Sequence, residues 1–308
     1  MTENEGVTGR YGIGELAEAA GVSVKTVRFY SDSGLLPEAG RSPGGHRRYG
    51  EAALGQLRTV RQLRALGLGL PTVAQVLRGD ADPAATLAAH RAEVERTLRD
   101  LRWRQAALTA LAERPEALEL LGDALHAPPD RDALATFWRR VLPPRLPRAL
   151  LAAIIDAAVP ELPTAPTAGQ ALAWARLHAV VTDRSAAAAV RANGAGSCGP
   201  RARLYYEGLG EAYALAQRPA PDAVDCFVAA HAGAEGAADS PAYRHALVGR
   251  LTRPDPYMGA YWDHSAVLRS DPAPDMGTLH AGLVARLAEE VQRAAPQADQ
   301  AGQTGPAA

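Results

Sequence analysis

A cluster of basic and short polar side chains near the amino terminus has the composition that binding to a polyanion requires. Between Arg10 and Arg78 the sequence has ten lysine and arginine residues against five acidic ones, whereas the whole chain of 308 residues has a formal net charge of −1. Positive charge is therefore concentrated in this stretch, which favours phosphate groups as partners. The candidate contact residues are Ser23, Lys25, Thr26, Arg28, Tyr30, Arg41, His46, Arg47, Arg48, Tyr49, Arg61 and Arg64.

Two short helices joined by a glycine turn must position the first of these side chains. Apolar residues recur at helical spacing over 13–20, and Gly21 ends this first predicted helix. Ser23 is a suitable N-cap for a second helix, which carries Lys25 and Arg28 on one side and Val27 on another. This pattern predicts a helix-turn-helix.

A glycine-rich basic segment follows over residues 40–49 and predicts a β-hairpin wing, with Tyr49 packed beneath it. Two more predicted helices end at Gly67 and Gly79. Arg61 and Arg64 lie one turn apart on the first of these helices, where they are expected to face the same anionic partner.

The amino-terminal third resembles the mercury-resistance regulator (MerR) family of bacterial transcription factors. The resemblance rests on linked motifs in order, namely YGIGELA (11–17), GVSVKTVRFY (21–30), GLLP (34–37), GHRRY (45–49) and LRALG (63–67). It implies a winged helix-turn-helix that binds double-stranded promoter DNA, a homodimer joined by an antiparallel coiled coil, and RNA polymerase as a further partner. Activation and repression remain alternatives.

A heptad pattern follows the predicted head. Leu87, Val94, Leu101 and Leu108 recur every seven residues, and Leu98 occupies the neighbouring seam. This spacing predicts a coiled-coil dimerisation helix over residues 82–113. The alternative is a single amphipathic helix that packs on its own domain.

The remaining sequence predicts a mainly all-α fold. Candidate helices lie near 131–141, 145–158, 168–193 with a break, 201–217, 221–235, 241–252, 257–269 and 276–294. The predicted domains are a disordered tail (1–9), a DNA-binding domain (10–80), the coiled-coil helix (82–113), a helical effector domain (114–296) and a second disordered tail (297–308).

Several classes of chemistry lack support in the sequence. The only cysteines are Cys198 and Cys226, which is too few for a disulfide scaffold or a four-cysteine metal centre. A GxGxxG spacing at 194–199 follows a helical stretch and precedes Pro200, so it lacks the context of a dinucleotide site. We therefore expect no catalytic residues, metal or cofactor. With no signal peptide or membrane span evident, we expect a cytoplasmic, nucleoid-associated protein.

Aromatic residues in the carboxyl-terminal region suggest a ligand pocket. Trp174, Tyr257, Tyr261 and Trp262 are the candidate ligand-binding residues, and a small, largely apolar organic effector is the expected ligand. The alternative for each residue is ordinary helix packing. Two other functions stay open for this region, a protein-interaction adaptor and, with less support, an enzyme fused to a DNA-binding head.

Overall fold

The computed structural model describes residues 10–126, 128–193, 201–218 and 220–301. Cys198 and the glycine spacing at 194–199 lie outside these residues, as does the expected tail at 1–9. The chain divides between Thr97 and Leu98 into two compact units. We call them unit 1 and unit 2 and describe each separately. Within the described ranges, no helix is long and apolar enough to cross a lipid bilayer.

Unit 1 contains four short helices, a two-stranded antiparallel sheet and the first part of a long helix. The elements are α1 (Ile13–Ala20), α2 (Val24–Asp32), β1 (Glu38–Arg41), β2 (Arg47–Tyr49), α3 (Glu51–Ala65), α4 (Leu70–Arg78) and α5 (Pro83–Glu113). In the hairpin, Glu38 pairs with Tyr49 and Arg41 with Arg47, and the register shifts between Glu38 and Gly40. The predicted wing is therefore present.

The core of unit 1 holds α2 against α1 and the wing. Leu16, Val27, Tyr49 and Leu57 are all fully buried in one apolar cluster. Gly21 makes the tight turn possible, since its φ of 64° lies in the left-handed region and a Cβ there would lie 3.0 Å from Arg61 Nη1. The sequence therefore fixes the direction in which α2 leaves α1.

Unit 2 is built from helices. After the end of α5 come a 3₁₀ turn (Pro115–Ala117), α6 (Leu118–Ala124), α7 (Arg131–Val141), α8 (Arg148–Ala158), α9 (Ala168–Thr182), α10 (Ala186–Asn193), α11 (Ala202–Ala216), α12 (Ala223–Glu235), α13 (Pro241–Leu251), α14 (Pro256–Leu268) and α15 (Met276–Ala301). The predicted all-α fold class with a small wing is confirmed.

Two apolar clusters form the interior of unit 2. The larger one surrounds Trp103, Phe137, Trp174 and Tyr261, and it brings the end of α5 together with α6, α7, α9 and α14. The smaller one surrounds Phe227 and joins α11, α12, α13 and α15. Aromatic residues that the sequence left open between ligand contact and core thus supply much of the core.

The helix boundaries follow their capping residues. Asp130, Thr167 and Ser240 each accept a backbone N–H at the start of a helix, as their positions predict. Asp222 makes no such hydrogen bond. The helix α6 and the 3₁₀ turn before it were not expected, and α15 continues to Ala301.

Removing the cap of α9 provides a test of this packing. Thr167 and Gln170 form a reciprocal capping box, with distances of 3.0 and 3.2 Å between the backbone nitrogens and the side-chain oxygens. We expect Thr167→Ala to lower the free energy of unfolding of unit 2 by about 1 kcal/mol. All four tryptophans lie in unit 2, so urea titration followed by tryptophan fluorescence reports on it.

Thr164→Ala is the matched control, because it deletes the same atoms from an exposed threonine whose side chain makes no hydrogen bond to a described residue. Equal stability losses in the two variants would contradict the capping argument.

Candidate functional site

The exposed side of α2 carries two basic side chains that form no ion pair with a described residue. The Ser23 hydroxyl accepts the Thr26 N–H (3.1 Å) and also bonds to the Thr26 hydroxyl (2.8 Å), so both hydroxyls take part in capping. Lys25 and Arg28 are exposed, and no described carboxylate lies within ion-pair distance of either. With Val27 buried beneath them, these two cations face outward from the first two turns of the helix.

The wing is fastened to α2 by Arg47. Its guanidinium forms a short ion pair with Asp32 and a second one with Glu38, at 2.6 Å between Nε and Oε1. It also donates to the Ser31 hydroxyl at 3.2 Å. The hydrogen bond to Asp32 raises the pKa of Arg47 above its ordinary value. Two carboxylates therefore neutralise Arg47, which connects β2 to α2. The sequence had instead suggested that Arg47 contacts phosphate groups.

Tyr49 and Tyr30 belong to the interior of unit 1. Tyr49 is fully buried, and its hydroxyl donates to Ser31 Oγ at 2.9 Å. Tyr30 is half-buried and packs against the apolar clusters on both sides. Both tyrosines support the side chains around them and hold the wing and α2 in place.

The remaining predicted basic residues lie around this centre. Arg41 and Arg48 each have a carboxylate at 3.8 Å, from Glu38 and Glu15 respectively, while His46 is exposed at the tip of the wing. On α3 and at its end, Arg61 donates to the Ala20 carbonyl and Arg64 to the Leu68 carbonyl at 2.7 Å.

Two further exposed residues were not singled out from the sequence. Phe29 is 54% exposed on α2, next to Arg28, and Arg58 is exposed on α3 one turn before Arg61. The three-residue spacing places Arg58 and Arg61 on the same face of α3, and this spacing is visible in the sequence. An exposed aromatic beside basic side chains suits contact with a polyanion that has apolar parts.

Comparison with known proteins decides the family. The profile described as MerR HTH family regulatory protein matches residues 11–80, which are all in unit 1. The chain is 40% identical over 119 residues to the mercuric resistance operon regulatory protein of Serratia marcescens, a match covering 37% of this chain and 76% of the relative. The chain belongs to the MerR family. It is therefore a transcriptional regulator, and the resemblance expected from the sequence motifs is confirmed.

Other MerR-family relatives match a shorter stretch. The transcriptional activator TipA of Streptomyces coelicolor is 45% identical over 80 residues, which are 26% of this chain and 30% of TipA. The nodulation protein NolA of Bradyrhizobium elkanii is 37% identical over 86 residues, or 28% of this chain and 39% of NolA. These matches leave most of this MerR-family chain, including much of unit 2, without a matched counterpart.

The structure separates the four aromatic residues predicted to bind a ligand. Trp174 is 2% exposed and donates its Nε1–H to the Ala124 carbonyl, and Tyr261 is fully buried and donates to the Ala158 carbonyl at 3.0 Å. The Tyr257 hydroxyl bonds to Ser185 Oγ at 3.1 Å. Trp262 alone among the four lines the large cavity of unit 2.

That cavity has a volume of about 710 Å³ and lies between α7, α8, α11, α14 and the start of α15. Its aromatic wall consists of Trp138, Tyr205, Tyr206, Tyr213 and Trp262. Trp262 packs against Trp138 with 5.6 Å between ring centroids. The ring of Trp262 also lies so close to Gly277 that a Cβ there would come within 2.3 Å of it. Sequence reasoning located this aromatic region, with the tyrosines of α11 in it, but did not choose those tyrosines as ligand contacts.

Burial lowers the pKa values of two histidines near this wall. His280 lines the cavity, and its Nδ1 bonds to the Tyr213 hydroxyl at 2.9 Å. Burial lowers the pKa of His280 to about 4. His231 packs between Tyr205 and Phe227, and burial lowers its pKa to about 3. Both imidazoles are therefore neutral at pH 7.

The described residues give little support for metal or thiol chemistry in this MerR-family chain. Among them, no group of three or more His, Cys, Asp or Glu side chains is arranged to hold a metal ion. Cys226 is half-buried with its Sγ 3.7 Å from the Gly208 carbonyl oxygen, and burial raises the pKa of its thiol. Cys226 is thus a packing residue of α12.

The neutral histidines predict loss of stability in acid. In the unfolded chain both imidazoles have an ordinary pKa near 6.5, so protons bind the unfolded state preferentially as the pH falls from about 7 towards 4. We expect each histidine to lower the free energy of unfolding by on the order of 1–2 kcal/mol between pH 7 and pH 5.

Urea titrations at the two pH values, followed by tryptophan fluorescence, measure this loss. His280→Gln should weaken the pH dependence, and His245→Gln, at an exposed position of α13, should leave it intact. A full pH dependence in His280→Gln would show that His280 is not responsible.

Proposed function

We propose that the chain is a homodimeric regulator whose head binds double-stranded promoter DNA and whose carboxyl-terminal domain senses a small organic effector. The proposed domains are the DNA-binding head (10–80), the dimerisation helix (82–113) and the effector domain (114–296), and RNA polymerase is a partner that family membership suggests. The observation that carries the proposal is the exposed cationic side of α2 within a MerR-family head.

Contact between α2 and DNA is supported by charge and exposure together. Lys25 and Arg28 have no carboxylate partner among the described residues, so binding to a phosphate or a guanine edge would not require an existing ion pair to break. Arg47, in contrast, would have to leave two carboxylates. We therefore assign direct contact to Lys25 and Arg28, with His46, Arg41, Arg48, Arg58, Arg61 and Arg64 as flanking contacts, and a positioning role to Arg47 and Tyr49.

Dimerisation through α5 is supported by the helix having two apolar faces. Trp103, Ala106, Ala107 and Ala110 are buried in the core of unit 2. Ala110 lies about 180° around the helix from Leu101, because nine residues at 100° each make two and a half turns. The exposed heptad is thus opposite the buried face. Its members are 43–68% exposed, and they are Leu87, Val94, Leu98, Leu101 and Leu108.

Leaving this second face in water is unfavourable. Five large apolar side chains on one helix stripe form the kind of surface that a partner helix covers in a coiled coil. A second copy of α5 offers the same stripe, and an antiparallel pair would bury both.

Effector sensing is supported by the cavity in unit 2. Its volume of about 710 Å³ falls in the range of small-molecule sites, and its wall is mostly apolar and aromatic. Among the residues proposed from the sequence, Trp262 remains the ligand contact, and the tyrosines of α11 join it. Tyr261 supports the wall from behind through its ring contact with Trp138, whereas Trp174 packs against Trp103 in the core, away from the lining residues.

Substitution of the two exposed α2 cations, Lys25 and Arg28, tests the DNA interface. The combined variant Lys25→Ala, Arg28→Ala should bind its operator more weakly and should reduce the slope of log affinity against log salt concentration by about 2, since each phosphate contact contributes about 0.9. If Arg28 reads a base, discrimination against mismatched operators should fall by about 1–3 kcal/mol. Fluorescence anisotropy with an operator selected from a random-sequence duplex pool provides the measurement.

The matched control removes two exposed arginines from unit 2, in the variant Arg148→Ala, Arg176→Ala. An unchanged affinity and salt slope in the Lys25→Ala, Arg28→Ala variant would remove α2 from the interface.

Two aspartates in the heptad stripe test the dimer. The variant Val94→Asp, Leu101→Asp should sediment as a monomer, because burying an unpaired carboxylate in a helix seam costs several kcal/mol. The control is Ala88→Asp, Ala92→Asp, which adds the same charge to exposed positions on the other side of α5. A heptad variant that stays dimeric in sedimentation-velocity runs would place the dimer interface elsewhere.

A further inference from the structure

We infer that the cavity of unit 2 selects organic anions with an aromatic body, and that Arg269 holds the anionic group with Arg253 at the rim. This inference rests on the proposed effector site and adds the chemical class of its ligand.

The aromatic body follows from the shape and composition of the wall. Rings from α7, α11 and α14 line the cavity, and Trp138 and Trp262 lie in contact with each other there. A flat aromatic ligand gains both apolar burial and ring contacts against such a wall. An aliphatic ligand of the same size would gain the burial alone.

The charge preference follows from Arg269, which lies directly after α14 and lines the cavity. Its Nε is buried, and no described group accepts its N–H. No described carboxylate lies within ion-pair distance of Arg269 or of Arg253, which is exposed at the same cavity. A carboxylate, sulfonate or phenolate oxygen on the ligand would balance the charge of the Arg269 guanidinium.

The two carboxylates in the cavity lining do not cancel this preference. Asp255 accepts the backbone N–H groups of Tyr257 and Met258, both at 3.0 Å, and Asp275 accepts that of Thr278 at 2.7 Å. Each aspartate thus sits at the amino-terminal end of a helix, where the partial positive charge of the helix offsets its own. No described acidic side chain lies within ion-pair distance of Arg253 or Arg269 to offset its charge.

The neighbouring polar pair adds no charge. His280 bonds through Nδ1 to the Tyr213 hydroxyl, and its lowered pKa keeps it neutral at pH 7. A cationic ligand would therefore meet two arginines and find both aspartates engaged with backbone. A neutral ligand would leave the charge of Arg269 without a counter-charge.

Two probes with the same ring system separate charge from shape. 8-Anilino-1-naphthalenesulfonate carries a sulfonate, and N-phenyl-1-naphthylamine is its neutral counterpart. With the full chain at pH 7, we expect the anion to bind about tenfold tighter in fluorescence titrations. Arg269→Gln should weaken the anion about tenfold and the neutral probe less than twofold, and Arg269→Lys should recover part of the anion affinity.

A cavity-filling variant shows where the probes bind. Gly210 lines the cavity, and a Cβ added there meets no atom within 4 Å, so Gly210→Leu places a side chain in the open space. Both probes should lose affinity in this variant. Arg176→Gln, at an exposed arginine that does not line the cavity, should change neither. Urea titration of each variant checks folding, and Arg253→Gln provides a second charge variant if Arg269→Gln is unstable.

The outcomes distinguish the preference for anions from the use of the cavity as a binding site. Equal affinities for the two probes, both lost in Gly210→Leu and both unchanged in Arg269→Gln, would overturn the anion preference while retaining the effector cavity. Probe affinities that Gly210→Leu leaves unchanged would overturn the cavity as the binding site, and with it the effector part of the proposed function.

Discussion

Helix α5 has two apolar faces, and the described part of this chain buries only one of them. The face around Trp103 and Ala110 is part of the larger core of unit 2. The opposite face, with Val94 and Leu101, is about half exposed. Complete burial of a large apolar side chain is worth roughly 1.5–3 kcal/mol, and because these side chains are about half exposed, each forfeits roughly 1 kcal/mol in the single chain. This second face therefore favours a partner surface. The proposed dimer, and hence a pair of heads on one DNA site, depends on the burial of this face.

The basic side chains of the head have two roles. Arg47 stabilises the fold through ion pairs, whereas Lys25 and Arg28 are exposed. Arg47 is enclosed by Asp32, Glu38 and Ser31, and it ties the wing to α2. Lys25 and Arg28 lie on the same helix as Asp32 but have no acidic partner within the described residues. Arg47 of the wing thus keeps α2 in place, and α2 exposes Lys25 and Arg28. In unit 2, Arg244 has three carboxylate partners, whereas no described carboxylate lies within ion-pair distance of Arg269.

Periodicity and capping residues predicted much of this architecture. The turn at Gly21, the wing and the caps at Thr167 and Ser240 follow from local rules that act over a few residues. The α6 segment was missed because seven residues contain too little of a helical repeat to stand out. Predicted helix α7 begins and ends where the structure has it, since Asp130 starts it and the prolines after Leu142 follow its end.

What the sequence could not predict is which neighbour each side chain would meet. Tyr257 and Tyr261 share a helical face, yet Tyr261 is fully buried against Phe137 while the Tyr257 hydroxyl reaches Ser185. Arg47 and Arg28 have the same side chain, and only the fold brings two carboxylates to the first. Spacing defines a face of a helix, whereas the partners come from segments that lie far away in the sequence.

The symmetry and stoichiometry of the bound DNA test the account most directly. Duplexes selected from a random pool by the full chain can be sequenced, and the mass of the complex measured by sedimentation equilibrium. A two-headed dimer predicts an inverted repeat that binds two chains, because the two-fold axis of the protein matches that of its operator. A single unrepeated site that binds one chain would contradict it.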